Sequence, residues 1–410
     1  MTAPIHPALA RTGTGIGASS TFWMPTRVEF ARGVAGVRIG SEARELGTTA
    51  GAATRRALLV TDPGLRAAGV CEPLLDSLAA AEVTTELFDH VQGNPRDVHC
   101  LEGAELGRSI EAGMLIGVGG GSAIDTAKCI ALLLTNGGHP RDWEDFGTLR
   151  AAPLPVLAVP TTAGTGSEVS PSAIITDTER RKKMNLFDPR ICPRVALVDP
   201  DLTLSMPAAL TAATGMDALS HAVDSLHCAL ANPASDALAL EGARLVALYL
   251  RRAVADAGDV EARCGMMQAS VTAGLAVGVT DVSGCHCLAE SIGAVYDHPH
   301  GVCCAATMPA IMEFNLSDPA TAARYARLAH AFGLATDELP VQTAARRAVD
   351  YVAALNADLG IPPLSELIRS EDLGLLAEKA AANTSAPSNP RPAGVADFRE
   401  MFAGGLTGAR

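Results

Sequence analysis

Residues 114–128 read MLIGVGGGSAIDTAK, and this stretch decides the fold. Met114-Leu115-Ile116-Gly117-Val118 is a short continuous apolar run, the pattern of a strand buried on both faces, and residues from about Ser122 to Leu134 have helical spacing. The glycines between them mark a strand-to-helix junction. Glycine there lets the backbone approach a ligand closely, and the free N–H groups of a helix start favour a phosphate. For this segment alone a tight turn without a ligand is the alternative, and the spacing is not G-x-G-x-x-G.

The same alternation extends outward from this junction. Ala57-Leu58-Leu59-Val60-Thr61 is a β-rich run ending at Asp62-Pro63-Gly64; Thr85-Glu86-Leu87-Phe88 follows a helical pattern; a helix is expected from about Asp97 to Ala112. Further runs lie at Leu154–Val159 and Val195–Val198. Continuous apolar strands separated by helices imply a mostly parallel sheet, because a crossover helix is what joins parallel strands. Past Met206-Pro207 long Ala/Leu-rich segments, such as Asp236 to Arg252 and Ala320 to Leu334, run to the C-terminus with few β-branched clusters. The predicted fold class is an α/β dinucleotide-binding domain over residues 22–205 followed by an all-α domain over 206–410, with residues 1–21 a flexible tail.

Composition narrows the function. A chain of 410 residues, 48% hydrophobic and 19% charged, holds two or three domains with real cores. Its 32 Lys+Arg against 45 Asp+Glu give a net charge of −13, so the global field repels nucleic acid and anionic membranes. The ten cysteines are spread through the chain with no C-x-x-C pair, as in a reducing cytosol. The N-terminus lacks an apolar segment of the signal-peptide kind, and no apolar run approaches a membrane span. The expectation is a soluble cytoplasmic protein with no nucleic acid or membrane partner.

A second polar loop, PTTAGTGSEVS at 160–170, follows the strand after the glycine junction. Its hydroxyls suit ribose and pyrophosphate oxygens, although such stretches also make solvated turns. Two loops after neighbouring parallel strands lie at the same carboxyl edge, where ligands bind. Asp62 ends an earlier strand and is either a ribose acceptor that favours NAD over NADP or part of an Asp-Pro-Gly turn.

In the second half, GMDALSHAVD at 215–224 puts Asp217 and His221 on one helix face, an arrangement for a shared ion or for a simple Asp–His hydrogen bond. GCHCLAESIGAVYDHPHGV at 284–302 adds His286 and His300. One Asp and three His suit Fe²⁺ or Zn²⁺ with room for a substrate oxygen.

The four motifs GGGSAIDTAK, PTTAGTGSEVS, GMDALSHAVD and HPHGV, in this order, together with NPRP at 389–392, resemble the iron-containing (group III) alcohol dehydrogenase family over about residues 22 to 405. The resemblance implies a dehydroquinate synthase-like fold and reversible hydride transfer between a small primary alcohol or diol and NAD. It implies Asp217, His221, His286 and His300 as metal ligands. Gly119, Gly120, Gly121 and Ser122 would hold the pyrophosphate, with Asp125 in the same motif. Thr161, Thr162, Thr165 and Ser170 would line the nicotinamide side, Lys183 the ribose, and Asp62, Asn94 and Leu202 the adenosine half. A homodimer or larger homo-oligomer is implied as well. A glycerol-type polyol dehydrogenase, whose shell generally lacks the His at position 221, fits less well. Lyase chemistry on a phosphorylated sugar acid is disfavoured by the scarcity of Lys and Arg around these motifs, and a non-catalytic sensor by the complete ligand set.

One position departs from the family pattern: Glu290 stands where a further His is usual, four residues after His286. Its candidate roles are a proton relay, a fifth oxygen ligand, or a contact to a polar or cationic part of the substrate, against a carboxylate merely paired with a neighbouring Arg or Lys. His298, two residues before His300, is expected to point elsewhere. Cys285, Cys287, Cys303 and Cys304 read as small core residues, with sensitivity to oxidation as the functional alternative.

Overall fold

The computed structural model describes residues 24–49 and 55–407; the tail expected over residues 1–21 lies outside them. Residues 24–162 and 166–205 form one compact unit, and residues 163–165 and 206–407 another.

The first unit contains β1 (Arg27–Phe30), α1 (Val34–Thr49), β2 (Arg56–Val60), α2 (Pro63–Ala67), α3 (Glu72–Ala80), β3 (Thr84–Phe88), α4 (Asp97–Ser109), β4 (Met114–Gly119), α5 (Gly121–Asn136), β5 (Asp145–Phe146), β6 (Val156–Pro160), β7 (Ser172–Asp177), β8 (Lys182–Phe187) and β9 (Val195–Val198). Six strands form a parallel sheet in the order β1-β9-β6-β4-β2-β3. Successive residues of the central strands feed opposite cores: Leu58, Val60 and Leu115 pack on one face, Ala57, Leu59, Met114 and Ile116 on the other. Leu58, Leu59, Leu115 and Ile116 are fully buried, and each such side chain stabilises the fold by about 1.5–3 kcal/mol. This two-sided burial is why the sequence shows continuous apolar runs here.

The chain passes from β2 to β3 on one side and then returns to place β4 on the other side of β2. That reversal opens a crevice at the carboxyl ends of β2 and β4, where Asp62 and Gly119–Gly120 lie. The registers Val60↔Gly117 and Gly119↔Pro160 bring the ends of β2, β4 and β6 to one edge.

A smaller sheet, β5-β8-β7, was not anticipated. β7 alternates half-buried with buried residues and pairs antiparallel with β8. A search for continuous apolar runs passes over such a hairpin, whose signal is period-two alternation on either side of a polar turn.

The second unit is helical: α6 (Ala208–His227), α7 (Pro233–Ala255), α8 (Val260–Gly278), α9 (Gly284–Tyr296), α10 (His300–Asn315), α11 (Pro319–Ala331), α12 (Val341–Asp358), α13 (Leu364–Leu367), α14 (Leu373–Ala381) and α15 (Val395–Thr407). Caps set the starts. Asn232 forms a capping box ahead of Pro233 on α7, and Asp259 and Asp318 cap α8 and α11. Residues 163–165 pack with this unit instead of with the sheet that precedes them. A Cβ on Gly164 would lie 2.6 Å from the Thr214 carbonyl oxygen, so only bare backbone fits against α6.

Candidate metal centre and cofactor loops

Three helices supply the metal-capable residues. α6 carries Asp217, His221 and Asp224, α9 carries His286, and α10 opens with His300. Gly301 lets α10 start against α6, since a Cβ there would sit 2.1 Å from the Ala213 carbonyl oxygen. As a result His300 Nε2 comes within 3.6 Å of Asp217 Oδ1. Asp217, His286, His300 and Cys304 each offer a donor atom, all within 4.8 Å of one another.

His286 is held from behind. Its Nδ1 lies 2.8 Å from Asp224 Oδ2, while its Nε2 is buried and makes no hydrogen bond to any described residue. Asp224 also accepts the N–H groups of Ser283, Cys285 and His286 at the start of α9 and the Ser283 hydroxyl. His227 continues the network, with Nε2 3.0 Å from Asp224 Oδ1 and Nδ1 2.7 Å from Tyr325 Oη. Burial alone would raise the Asp224 pKa, but the bonds to His227 and His286 hold the carboxyl well below its usual range. Burial disfavours charge on His286, yet Asp224 outweighs it and lifts the imidazole to about 9. Burial lowers His221.

A carboxylate behind an imidazole whose other nitrogen points into a buried, polar space is the arrangement that orients a histidine toward a metal. The donor set of one carboxylate, imidazoles and a thiol fits a divalent ion.

His221 stands beside this convergent group. Its ring stacks on His286 with centroids 4.9 Å apart, and its Nδ1 faces the Gly164 carbonyl at 3.3 Å. Glu290 also lies outside the group. Its Oε2 accepts Asn383 Nδ2 at 2.7 Å, and no Lys or Arg among the described residues pairs with it. His298 Nε2 is turned to the Leu367 carbonyl at 3.0 Å. Asp224 was not singled out from the sequence, and Cys304 was read there only as a small core residue or a site of oxidation. Their only linear signals are helical spacing, i+7 from Asp217 and i+4 from His300.

In the first unit the two loops meet. Gly119 has φ +151°, and a Cβ on it would lie 2.7 Å from Ala123 Cβ; Gly120 precedes α5 with no side-chain cap and faces Thr162. Thr161 N–H donates to Gly119 O at 3.0 Å. The start of α5 therefore presents bare backbone N–H groups, a cradle for an anion. Asp62 Oδ1 caps α2 through Leu65 N–H at 3.0 Å, so the turn reading accounts for one oxygen, and Oδ2 lies 3.8 Å from where a Gly119 Cβ would be. Beside it opens a cavity of ≈ 590 Å³ lined by Pro63, Arg66, Asp89, His90, Gln92, His99 and Glu102.

Other sequence candidates brace this frame. Asp125 binds Ser167 Oγ and accepts Ile174 N–H at 3.0 Å, with Lys128 Nζ 3.6 Å away. The fully buried Lys128 donates to Ser167 Oγ (3.0 Å), Ser170 O (3.1 Å), Ser170 Oγ (3.3 Å) and Ser172 O (2.7 Å). This pair clamps the second loop to α5 through Ser167 and Ser170. Lys183 Nζ donates to Asn94 Oδ1 at 3.1 Å, joining two residues assigned separately from the sequence. Leu202 packs against the sheet core. Glu168, buried in the same loop, is raised to about 7 by loss of solvent.

Comparison with known proteins agrees along the chain. Residues 35–200 match the iron-containing alcohol dehydrogenase family model, and residues 211–404 match that of the Fe-containing alcohol dehydrogenase family C-terminal domain. The NAD-dependent methanol dehydrogenase of Bacillus methanolicus is 36% identical over 389 residues, covering 94% of this chain and 100% of the relative. The choline dehydrogenase of Bacillus subtilis (strain 168) is 38% identical over 378 residues, covering 90% and 91%. A crystal structure of 1,3-propanediol oxidoreductase matches with a TM-score of 0.90 at 34% identity, over 94% of this chain and 100% of that one. Both halves of the sequence, and the folded chain as a whole, thus lead to one conclusion: this protein belongs to the iron-containing alcohol dehydrogenase family.

Proposed function

We propose that this chain is a metal-dependent, NAD-linked alcohol dehydrogenase that interconverts a small primary alcohol or diol and its aldehyde. The observation that carries the reading is the buried His286 Nε2, free of hydrogen bonds, beside Asp217 and His300 and backed by Asp224. Asp217, His221, His286 and His300 are the residues assigned to hold Fe²⁺ or Zn²⁺. When bound, the ion would supply Lewis acidity toward the alcohol oxygen and the nicotinamide would supply the hydride acceptor.

The chain's own groups orient and exclude. Asp224 fixes the His286 ring, and the Gly164 carbonyl fixes His221 through Nδ1. The backbone of Gly119, Gly120, Gly121 and Ser122 binds the pyrophosphate, with Thr161, Thr162 and Thr165 toward the nicotinamide. Asp125, Lys128 and Ser170 hold that second loop in place. Lys183 with Asn94 serves the ribose, and Asp62 and Leu202 the adenosine side, where the Asp62 carboxylate disfavours a 2′-phosphate and so selects NAD over NADP. Glu290, bound by Asn383 and not by a cation, is assigned to a polar or cationic part of the substrate. The alcohol proton leaves to solvent, which balances alcohol plus NAD⁺ against aldehyde, NADH and H⁺.

The names of the relatives, methanol, choline and propanediol enzymes, support small primary alcohols as the substrate class. Ten cysteines spread through the chain with no C-x-x-C pair support the cytoplasm, and no helix among the described residues is long and apolar enough to cross a membrane. The working form is a homodimer or larger assembly. The test is chelator-stripped protein reloaded anaerobically with Fe²⁺ or Zn²⁺ and assayed for NADH with small alcohols. Turnover restored by the ion supports the reading, and none with any alcohol or aldehyde overturns it.

A further inference from the structure

Behind His286 a line of buried polar side chains leads away from the site to the NPRP stretch at 389–392. Asp224, His227, Tyr325 and Asn315 are fully buried, and Asn389 nearly so. They come from α6, α11, the end of α10 and the segment before α15, so no single helix explains why they meet.

The partners assign the protons along this line. Asp224 Oδ1 lies 3.0 Å from His227 Nε2, and Asp224 Oδ2 lies 2.8 Å from His286 Nδ1. A carboxylate oxygen accepts, so both of these nitrogens carry a proton. His227 Nε2 is also 2.6 Å from Ser283 Oγ, whose own proton goes to Asp224 Oδ1 at 2.9 Å. The other nitrogen of His227, Nδ1, takes the Tyr325 phenol proton across 2.7 Å. The Asn315 amide hydrogen-bonds the same phenol group. Asn315 and Asn389 exchange two bonds, Asn315 Nδ2 to Asn389 Oδ1 at 2.9 Å and Asn389 Nδ2 to Asn315 Oδ1 at 2.8 Å. Asn389 Nδ2 donates to the Arg391 carbonyl as well, at 2.6 Å, which fixes the way round that both amides sit.

The consequence falls on His286. With its proton on Nδ1, its lone pair is on Nε2, the buried atom with no hydrogen bond to a described residue. An imidazole that binds an ion through Nε2 has this tautomer, and the bond made by Nδ1 sets it. Asp224 receives its other donors from residues 283–286. His227 is the donor that ties the carboxylate to α6 and, through Tyr325, to α11.

We propose that His227 and Tyr325 are positioning residues for the ion. His227 steers the Asp224 carboxylate, Asp224 sets the tautomer of His286, and Tyr325, anchored by Asn315 and Asn389, keeps the His227 proton on the Asp224 side. The inference rests on the metal-binding reading of this site and adds no ligand to it.

The test is a Co²⁺ titration of the chelator-stripped full chain, followed by visible absorbance, on variants whose folding is checked by circular dichroism. His227→Leu is expected to bind the ion roughly 10–100-fold more weakly, the cost typical of losing an outlying partner of a metal ligand. His227→Gln, whose side-chain amide can place an N–H where Nε2 stood, should recover most of that loss. Tyr325→Phe removes one hydroxyl and should cost on the order of 5-fold, the worth of one neutral hydrogen bond. Added to His227→Leu it should cost nothing further, because Tyr325 acts through His227. Wild-type affinity in His227→Leu or in Tyr325→Phe, equal losses in His227→Leu and His227→Gln, or additive losses in the double variant each overturn the positioning role and leave the metal site standing. If His227→Leu does not fold, Tyr325→Phe decides alone: weaker binding supports the role and wild-type affinity overturns it. Failure of wild type to take up Co²⁺ overturns the metal-binding reading and this inference with it.

Discussion

Asp224 takes one nitrogen of His286 and leaves the other buried, with no hydrogen bond to a described residue, as the proposed metal ligand requires. His286→Ala should therefore abolish retention of Zn²⁺ in equilibrium dialysis while NAD⁺ binding, followed by fluorescence, persists; retained zinc would refute the assignment. Glu290→Gln keeps an acceptor for Asn383 but removes the charge. A hydrogen bond to a charged group is worth about 1.5–3 kcal/mol, so KM for an alcohol bearing a cationic group should rise roughly 10-fold or more, with kcat for neutral alcohols unchanged. An equal loss of kcat with every alcohol would point to proton transfer instead. Asp217 and His300, which converge with His286, were marked in the sequence by the i,i+4 spacing of Asp217 to His221 and by a Pro-His-Gly turn, whereas His221, assigned with them, stands beside the convergent group. Asp224 and Cys304 were less legible: one looks like an ordinary helix carboxylate and the other like a small core residue until α6, α9 and α10 are packed together.

Between elements, the contact that places His300 is the close approach of α10 to α6 at Gly301. Gly301→Ala forces a methyl onto the Ala213 carbonyl and should cost about 1–3 kcal/mol in urea unfolding, with weaker ion binding. Unchanged stability and affinity would show that α10 is free to shift. In the second loop Glu168 titrates at about 7 in the folded chain against an ordinary 4.5. Between those values the folded form keeps a proton that the unfolded form has lost, so this group's contribution to stability falls as pH rises through that window. Glu168→Gln removes the dependence: the variant should gain up to about 3 kcal/mol over wild type at pH ~8 and little at pH ~4.5, read by calorimetry. A gain equal at both values would contradict the buried-acid account. Element by element, the central strands were legible because burial on both faces writes itself as uninterrupted apolar sequence. The β7–β8 hairpin was not, because alternation carries its signal. Lys128 escaped for another reason: a lysine inside GGGSAIDTAK gives no linear sign that its ammonium is fully buried among loop oxygens.

Across the whole molecule, the acidic balance that argues against nucleic acid coexists with a sheet edge of bare backbone N–H groups and hydroxyls, chemistry that suits the proposed pyrophosphate without a field of lysines. Fold and chemistry were both readable at this scale, because the motifs occur in an order that the parallel sheet and the helical unit each require. Substrate identity was not, since no motif marks the residues around Glu290 and Asn383. The central claim is that an ion held by Asp217, His221, His286 and His300 makes this chain an NAD-linked alcohol dehydrogenase. The most direct measurement is NADH formation from a panel of small primary alcohols by one preparation, stripped with chelator and then reloaded anaerobically with Fe²⁺ or Zn²⁺. The account predicts no activity when stripped, recovery in proportion to ion bound, and no recovery in His286→Ala; equal rates with and without the ion would contradict it.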